Sequence, residues 1–111
     1  GPRPYVVVAL ATNGSVSAEQ LEGLLSYLGQ ERRLVLVTGY GPARTTWIPG
    51  ANQTIQDYAA AHPEQVAVAD WNAAITPHPE MLAQDQVHPA AEGGQVYAET
   101  IQQALNTVAG A

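Results

Sequence analysis

Three runs of the chain are almost continuously apolar: Tyr5–Ala11, Leu34–Val37 and Val66–Ala69. A strand with one face in water alternates apolar and polar residues, whereas an unbroken run fits a parallel strand covered on both faces. Between the first two runs the period changes. Leu21, Leu24, Leu25 and Leu28 fall at i, i+3, i+4 and i+7, one face of a helix. Ser17 and Gln20 have the spacing of a capping box, Val16 and Leu21 that of a hydrophobic staple, and Gly29 stands where a left-handed residue ends a helix. A second helix is predicted from about Asn52 to Ala61, with Ile55, Tyr58 and Ala59 inward, ending before Pro63. A last helix follows Pro89, with Tyr97, Ile101, Leu105 and Val108 on its buried side. The alternation predicts an α/β fold in one domain over residues 1–111: a three-stranded parallel sheet, at about residues 5–11, 34–38 and 66–70, flanked by helices through right-handed crossovers. Two stretches, Gly39–Gly50 and Asp70–His88, have no clear period and read as long loops, the kind that often carry function.

Charge narrows the partners. Four arginines, no lysine and ten acidic residues among 111 give a net charge of −6, which disfavours nucleic-acid phosphates and anionic membrane surfaces. No apolar run approaches the length of a membrane span, and no segment has the order of a signal peptide. Cysteine is absent, so disulfides, thiolate metal sites and cysteine nucleophiles are excluded together. Three histidines without i, i+4 pairing do not make a metal site, and no cofactor is expected. His62 and His78 read as surface residues.

In open parallel sheets, ligands bind beyond the carboxyl ends of the strands. The first strand runs into Thr12-Asn13-Gly14 and the second into Thr38-Gly39-Tyr40. The third runs into Asp70-Trp71-Asn72, and the loop with Asp85 and His88 leads into the final helix from the same edge. A carboxylate three residues before a histidine can accept the imidazole Nδ1–H and leave the other nitrogen as a general base. Asn13 offers an amide donor for an oxyanion; the plainer reading is an Asn-Gly turn. Asp70 reads most simply as a cap or turn residue. Trp47 and Trp71 fit a pocket wall and plain packing equally.

Taken together, Thr12-Asn13-Gly14, the Trp47…Asn52 stretch and Asp85-Gln86-Val87-His88-Pro89 before a last helix resemble the SGNH (GDSL-type) hydrolase family. The likeness is greatest to the SGNH-like domains fused to family-three membrane acyltransferases, and it covers nearly all of this chain but only the later portion of such a domain. It implies a truncated flavodoxin-like SGNH fold. It also implies His88 as base, Asp85 as its orienting acid and Asn13 as oxyanion donor, with Thr12 and Trp47 at the substrate. The substrate implied is an acyl ester or acyl carrier, with a glycan acceptor on the cell surface, outside the cytoplasm and tethered to a membrane acyltransferase. The usual hydrolase form of the block with the oxyanion asparagine is Gly-x-Asn-Asp; Ala11-Thr12-Asn13-Gly14 looks like the acyltransferase-linked form. The family's Gly-Asp-Ser strand, which carries the nucleophile, and its block with an oxyanion glycine have no counterpart here. Ser17 reads as a helix cap, Ser26 lies mid-helix, and Ser15 is a weak candidate beside Asn13. The expectations are therefore an inactive chain that needs a serine-bearing segment, or a non-catalytic glycan- or protein-binding module using the same rim. With that strand missing, Val6, Val7 and Val8 would form an open apolar edge prone to self-association.

Overall fold

The computed structural model describes residues 4–12 and 14–109, the side chains of Val108 and Ala109 excepted. Strands β1 (Tyr5–Val8), β2 (Arg33–Val37) and β3 (Val66–Ala69) pair in parallel in the order β1-β2-β3. Helices α1 (Ala18–Leu28), α2 (Ile48–Ala61), α3 (Trp71–Ile75) and α4 (Ala91–Ala109) complete the chain, with a 3₁₀ turn at Pro79–Met81.

Strand pleating divides the apolar runs between two cores. Leu34 and Leu36 face α1 and α2, where Leu21, Leu28, Ile55 and Tyr58 are buried. Val35 and Val37 face the other way, toward Trp71, Ile75 and Ala104 of α3 and α4. All four β2 positions are essentially inaccessible to solvent, as the unbroken pattern predicts for the central strand. The outer strand differs. Val6 and Val8 pack against the α1 side, but α4 lies over β3 and β2, so Tyr5 and Val7 are 55% and 37% exposed. The open apolar surface of β1 is thus Tyr5 and Val7, narrower than the expected Val6–Val8 edge.

The local signals around α1 act as read. Ser17 Oγ accepts from the Gln20 amide at 3.1 Å, and Gln20 Oε1 accepts from the Ser17 amide at 2.9 Å. Gly29, at φ 76°, ends the helix in a conformation that costs other residues a Cβ clash.

Three boundaries differ from the sequence reading. β1 ends at Val8, not Ala11: its pairing with β2 stops at Val8↔Leu36, and the chain then turns at residues 11–12 with Ala11 buried. α2 starts at Ile48, not Asn52, because Pro49 sits in its first turn, where a missing N–H is harmless. The Asp70–His88 stretch is not an uninterrupted loop, since Asp70 caps α3 by accepting from the Ala73 amide at 3.2 Å. On α4, Ala104 is buried while Tyr97, Ile101 and Leu105 are partly buried; the side chain of Val108 lies outside the described residues.

Candidate active site

Residues 82–89 form a closed loop at the carboxyl edge of the sheet. Leu82 and Pro89 bridge in antiparallel fashion, the Ala83 amide donates to the His88 carbonyl at 2.8 Å, and the Ala90 amide donates to the Met81 carbonyl at 2.8 Å. Gly93, in the first turn of α4, closes the base: a Cβ there would stand 2.3 Å from the Met81 carbonyl oxygen. At the tip, Gln86 adopts φ 61°, a left-handed conformation uncommon outside glycine.

Asp85 holds that tip from within. Its Oδ1 accepts the amides of Val87 and His88, each at 2.9 Å, and its Oδ2 lies 2.5 Å from His88 Nδ1. The hydrogen bond from His88, reinforced by the two backbone amides, holds the Asp85 carboxyl well below the usual carboxylate range. An ionised carboxylate only accepts, so Nδ1 carries the hydrogen and Nε2 of the neutral ring is the proton acceptor. The His88 side chain is 74% exposed, so that nitrogen is open to a reacting group. The spacing of Asp85 and His88 thus gives the orientation a general base needs.

His88 and Thr12 line one cavity of about 330 Å³ at the rim, walled by Val37, Trp71, Pro89 and Tyr97. Trp71 and Tyr97 meet edge to face with centroids 5.0 Å apart, and burial pushes the Tyr97 phenol up, so its hydroxyl stays protonated. Trp71 therefore serves both alternatives weighed for it, packing and cavity wall. Asn13, the expected oxyanion donor, lies outside the described residues. Ser15 is exposed, Ser17 caps α1 and Ser26 is exposed on α1; no serine lines the cavity among the described residues.

Trp47 is placed differently from Thr12. Half-buried, it donates its indole N–H to the Ala11 carbonyl at 2.7 Å and does not line the His88 cavity. Its observed contact fixes the backbone of Ala11, two positions before Asn13 in the sequence. Neighbouring side chains brace the rim likewise. Asn52 clamps Gly39, accepting from its amide at 2.7 Å and donating to its carbonyl at 2.8 Å. Thr38 donates to Asp70 Oδ1 at 2.9 Å and accepts from the Asn72 amide at 2.9 Å. Arg44 Nη2 donates to the Asp85 carbonyl at 2.8 Å, tying the β2–α2 loop to the His88 loop. The sequence reading assigned Arg44 and Thr38 no role; the available signal was that Arg44 is the one arginine within a long irregular stretch.

The other histidines stay apart from this rim. His62 stacks on Tyr58 at 4.1 Å and approaches Glu22 at 3.4 Å, a tie between α2 and α1 that also includes a Tyr58–Glu22 hydrogen bond at 2.8 Å. Burial, then that hydrogen bond, push the Tyr58 phenol up to about 12.

No family model matches the chain. A Bacillus subtilis (strain 168) protein with the provisional name peptidoglycan O-acetyltransferase YrhL is 30% identical over 106 residues, which is 96% of this chain but only 16% of that protein. Among solved structures, the C-terminal catalytic domain of Streptococcus pneumoniae peptidoglycan O-acetyltransferase A (OatA), with a methylsulfonyl adduct, superposes with a TM-score of 0.76 at 26% identity. That match covers 95% of this chain and 65% of the pneumococcal one. LAE5, an α/β hydrolase from the metagenome of Lake Arreo, Spain, superposes at 0.70 with 21% identity, over 94% of this chain and 60% of its own, a likeness of fold. The parallel β1-β2-β3 sheet with this rim has the fold of a truncated SGNH-like domain, and over nearly all its length the chain is similar to peptidoglycan O-acetyltransferases of which it spans only part.

Proposed function

We propose that this chain supplies the base, its orienting acid and an oxyanion donor for O-acyl transfer or ester hydrolysis on acylated cell-surface glycans, as part of a single SGNH-like domain whose serine it does not contain. The observation that carries the reading is the Asp85–His88 pair, fixed in one tautomer and set at the mouth of an apolar cavity. His88 would take the serine's proton, Asp85 would hold the imidazole and stabilise the imidazolium, and Asn13 would donate to the oxyanion. The apolar wall excludes water from an acyl group held there. The relatives' names favour peptidoglycan as acceptor; the location that goes with this reading is outside the cytoplasm, tethered to a membrane acyltransferase. Among the described residues, no helix is long and apolar enough to cross a membrane.

Members of a triad act as a unit, so this chain alone should neither hydrolyse activated acetyl esters nor form an acyl-enzyme. Adding a segment with the Gly-Asp-Ser block, fused or as a separate peptide, should restore turnover. In that form His88→Ala should cost about four orders of magnitude or more, and Asn13→Ala about two to three. Steady-state kinetics decide it: wild-type rates from His88→Ala end the acyl-transfer reading.

One observation favours a second reading for the chain as it stands. With no serine lining the His88 cavity among the described residues, the rim suits a non-catalytic module that binds glycan or protein. A fluorophosphonate probe separates the two, because the serine-complemented protein is labelled only if it is an enzyme. Self-association through exposed Tyr5 and Val7 belongs to either reading, and a concentration-independent monomer by light scattering would remove it.

A further inference from the structure

Between Asp85 and His88 the chain makes a turn that neither side chain explains. Among the described residues, Gln86 is the one non-glycine with a positive φ, 61°. It is exposed, and its side chain has no hydrogen-bond partner among the described residues. We propose that Gln86 is a positioning residue whose left-handed backbone, not its side chain, aims the Val87 and His88 amides at Asp85 and so holds the His88 ring with its hydrogen on Nδ1.

The peptide unit that enters Gln86 is gripped at both ends. Its N–H donates to the Ala83 carbonyl at 3.0 Å, and its C=O, that of Asp85, accepts from Arg44 Nη2 at 2.8 Å. The chain leaving the turn is anchored too, by the Ala83 amide on the His88 carbonyl at 2.8 Å and by the Leu82–Pro89 bridge. Between these fixed points, φ of Gln86 decides where the next amide points. At 61° the Val87 and His88 amides both reach Asp85 Oδ1, each at 2.9 Å. An ordinary right-handed φ would turn that peptide by about 120° about the N–Cα bond and take both amides off the carboxylate.

A plainer account is that the turn only closes the loop and the two side chains find each other unaided. Their exposure argues against it: the His88 and Asp85 side chains are 74% and 44% accessible, and a contact between two such groups is weak unless something else fixes its geometry. The two backbone amides are what fix it, because hydrogen bonds to an ionised carboxylate are the strong ones and the backbone has no rotamers to lose. A left-handed residue with a Cβ costs on the order of tenfold in population, and such a conformation persists where its surroundings over-determine it.

That the ring so held acts as a base rests on the acyl-transfer reading; the hold itself does not. The test is therefore made on this chain, without a serine, by ¹H–¹⁵N NMR of the His88 ring at about pH 8, well above the ordinary imidazole range. Wild type should show one tautomer, with a downfield Nδ1 proton protected from exchange with water. Gln86→Gly and Gln86→Asn, whose new residues accept a left-handed backbone, should keep that signature. Gln86→Val puts a β-branched residue where it is a steric outlier. Its Nδ1 proton should exchange about tenfold faster or vanish, the scale of the left-handed penalty, with the amide shifts of β2 and α1 unchanged. Wild type without the signature, loss of it in the glycine or asparagine variant, or wild-type exchange in a folded valine variant would each overturn the proposal. If the valine variant does not fold, the glycine and asparagine variants carry the test.

Discussion

On one side of Thr38 the wall is Val37, Trp71, Pro89 and Tyr97, with His88 beside them. On the other it is Tyr40, Asn52, Gln56 and Asp70, whose polar atoms are largely engaged with one another or with the backbone. Both hollows lie at the carboxyl edge of the same sheet, yet their walls differ in kind. Charge that develops during acyl transfer is stabilised best where water is excluded and donors are few and fixed. The alternation of β2 contributes to this division. Val37 faces α3 and α4, the side of the apolar cavity, while the next residue, Thr38, turns its hydroxyl to Asp70 and the Asn72 amide.

The comparison is broken most strongly at Asp85. Asp85→Asn keeps an oxygen for the Val87 and His88 amides but presents the wrong partner to His88 Nδ1. In the serine-complemented protein it should lower kcat/KM by about four orders of magnitude. Acid probes the same carboxyl without mutation. Its folded pKa is depressed, so its support for the loop is complete above the ordinary carboxylate range and is lost as pH falls toward the depressed value. Carboxyl ¹³C NMR should therefore show Asp85 protonating well below the range of an ordinary aspartate.

A smaller effect tests whether the two cavities share a frame. Trp47 belongs to the segment that walls the polar side, yet its N–H holds Ala11, which lines the apolar side. Ala11 is 1% exposed, so Trp47→Phe leaves a shielded carbonyl without that donor. Urea unfolding should show a loss of about 1–3 kcal/mol, and the Thr12–Gly14 amides should shift. A change confined to the polar side would mean that the frames are independent.

Much of this frame was legible in the chain. Continuous apolar runs marked the three strands, and Ser17, Gln20 and Gly29 bounded α1, because those signals depend on residues within a few positions. The Asp85–His88 contact was legible for the same reason, being local to one loop. What the sequence hid was long-range or ambiguous. Pro49 reads as a loop residue and is equally at home in a helix's first turn. Trp47 fits a pocket wall and plain packing equally until its partner, 36 positions away, is known. Asn52 on Gly39 and Thr38 on Asp70 have no local signature, and the polar cavity is made almost wholly of such contacts.

Arg44 carries the smallest expected effect and the finest test of coupling. Its loop supplies Ala43 and Thr45 to the polar cavity, while its Nη2 donates to the Asp85 carbonyl in the His88 loop. The contact is exposed, so its strength is that of a surface interaction, about 0.2–1 kcal/mol. Arg44→Ala should therefore lower kcat of the serine-complemented protein only about two- to fivefold, leaving stability near wild type. If Arg44 positions Asp85 rather than contacting substrate, KM for a small activated ester should not change. Lysine, with a shorter reach and no planar fork, should restore little of the loss. The informative measurement is a double-mutant cycle of Arg44→Ala with Gln56→Ala, read as kcat of the serine-complemented protein on that ester. Non-additive losses would mean that the polar cavity acts on the His88 loop through Arg44. Strict additivity would leave the two cavities as neighbours that share Thr38 and the sheet edge, with no communication through that guanidinium.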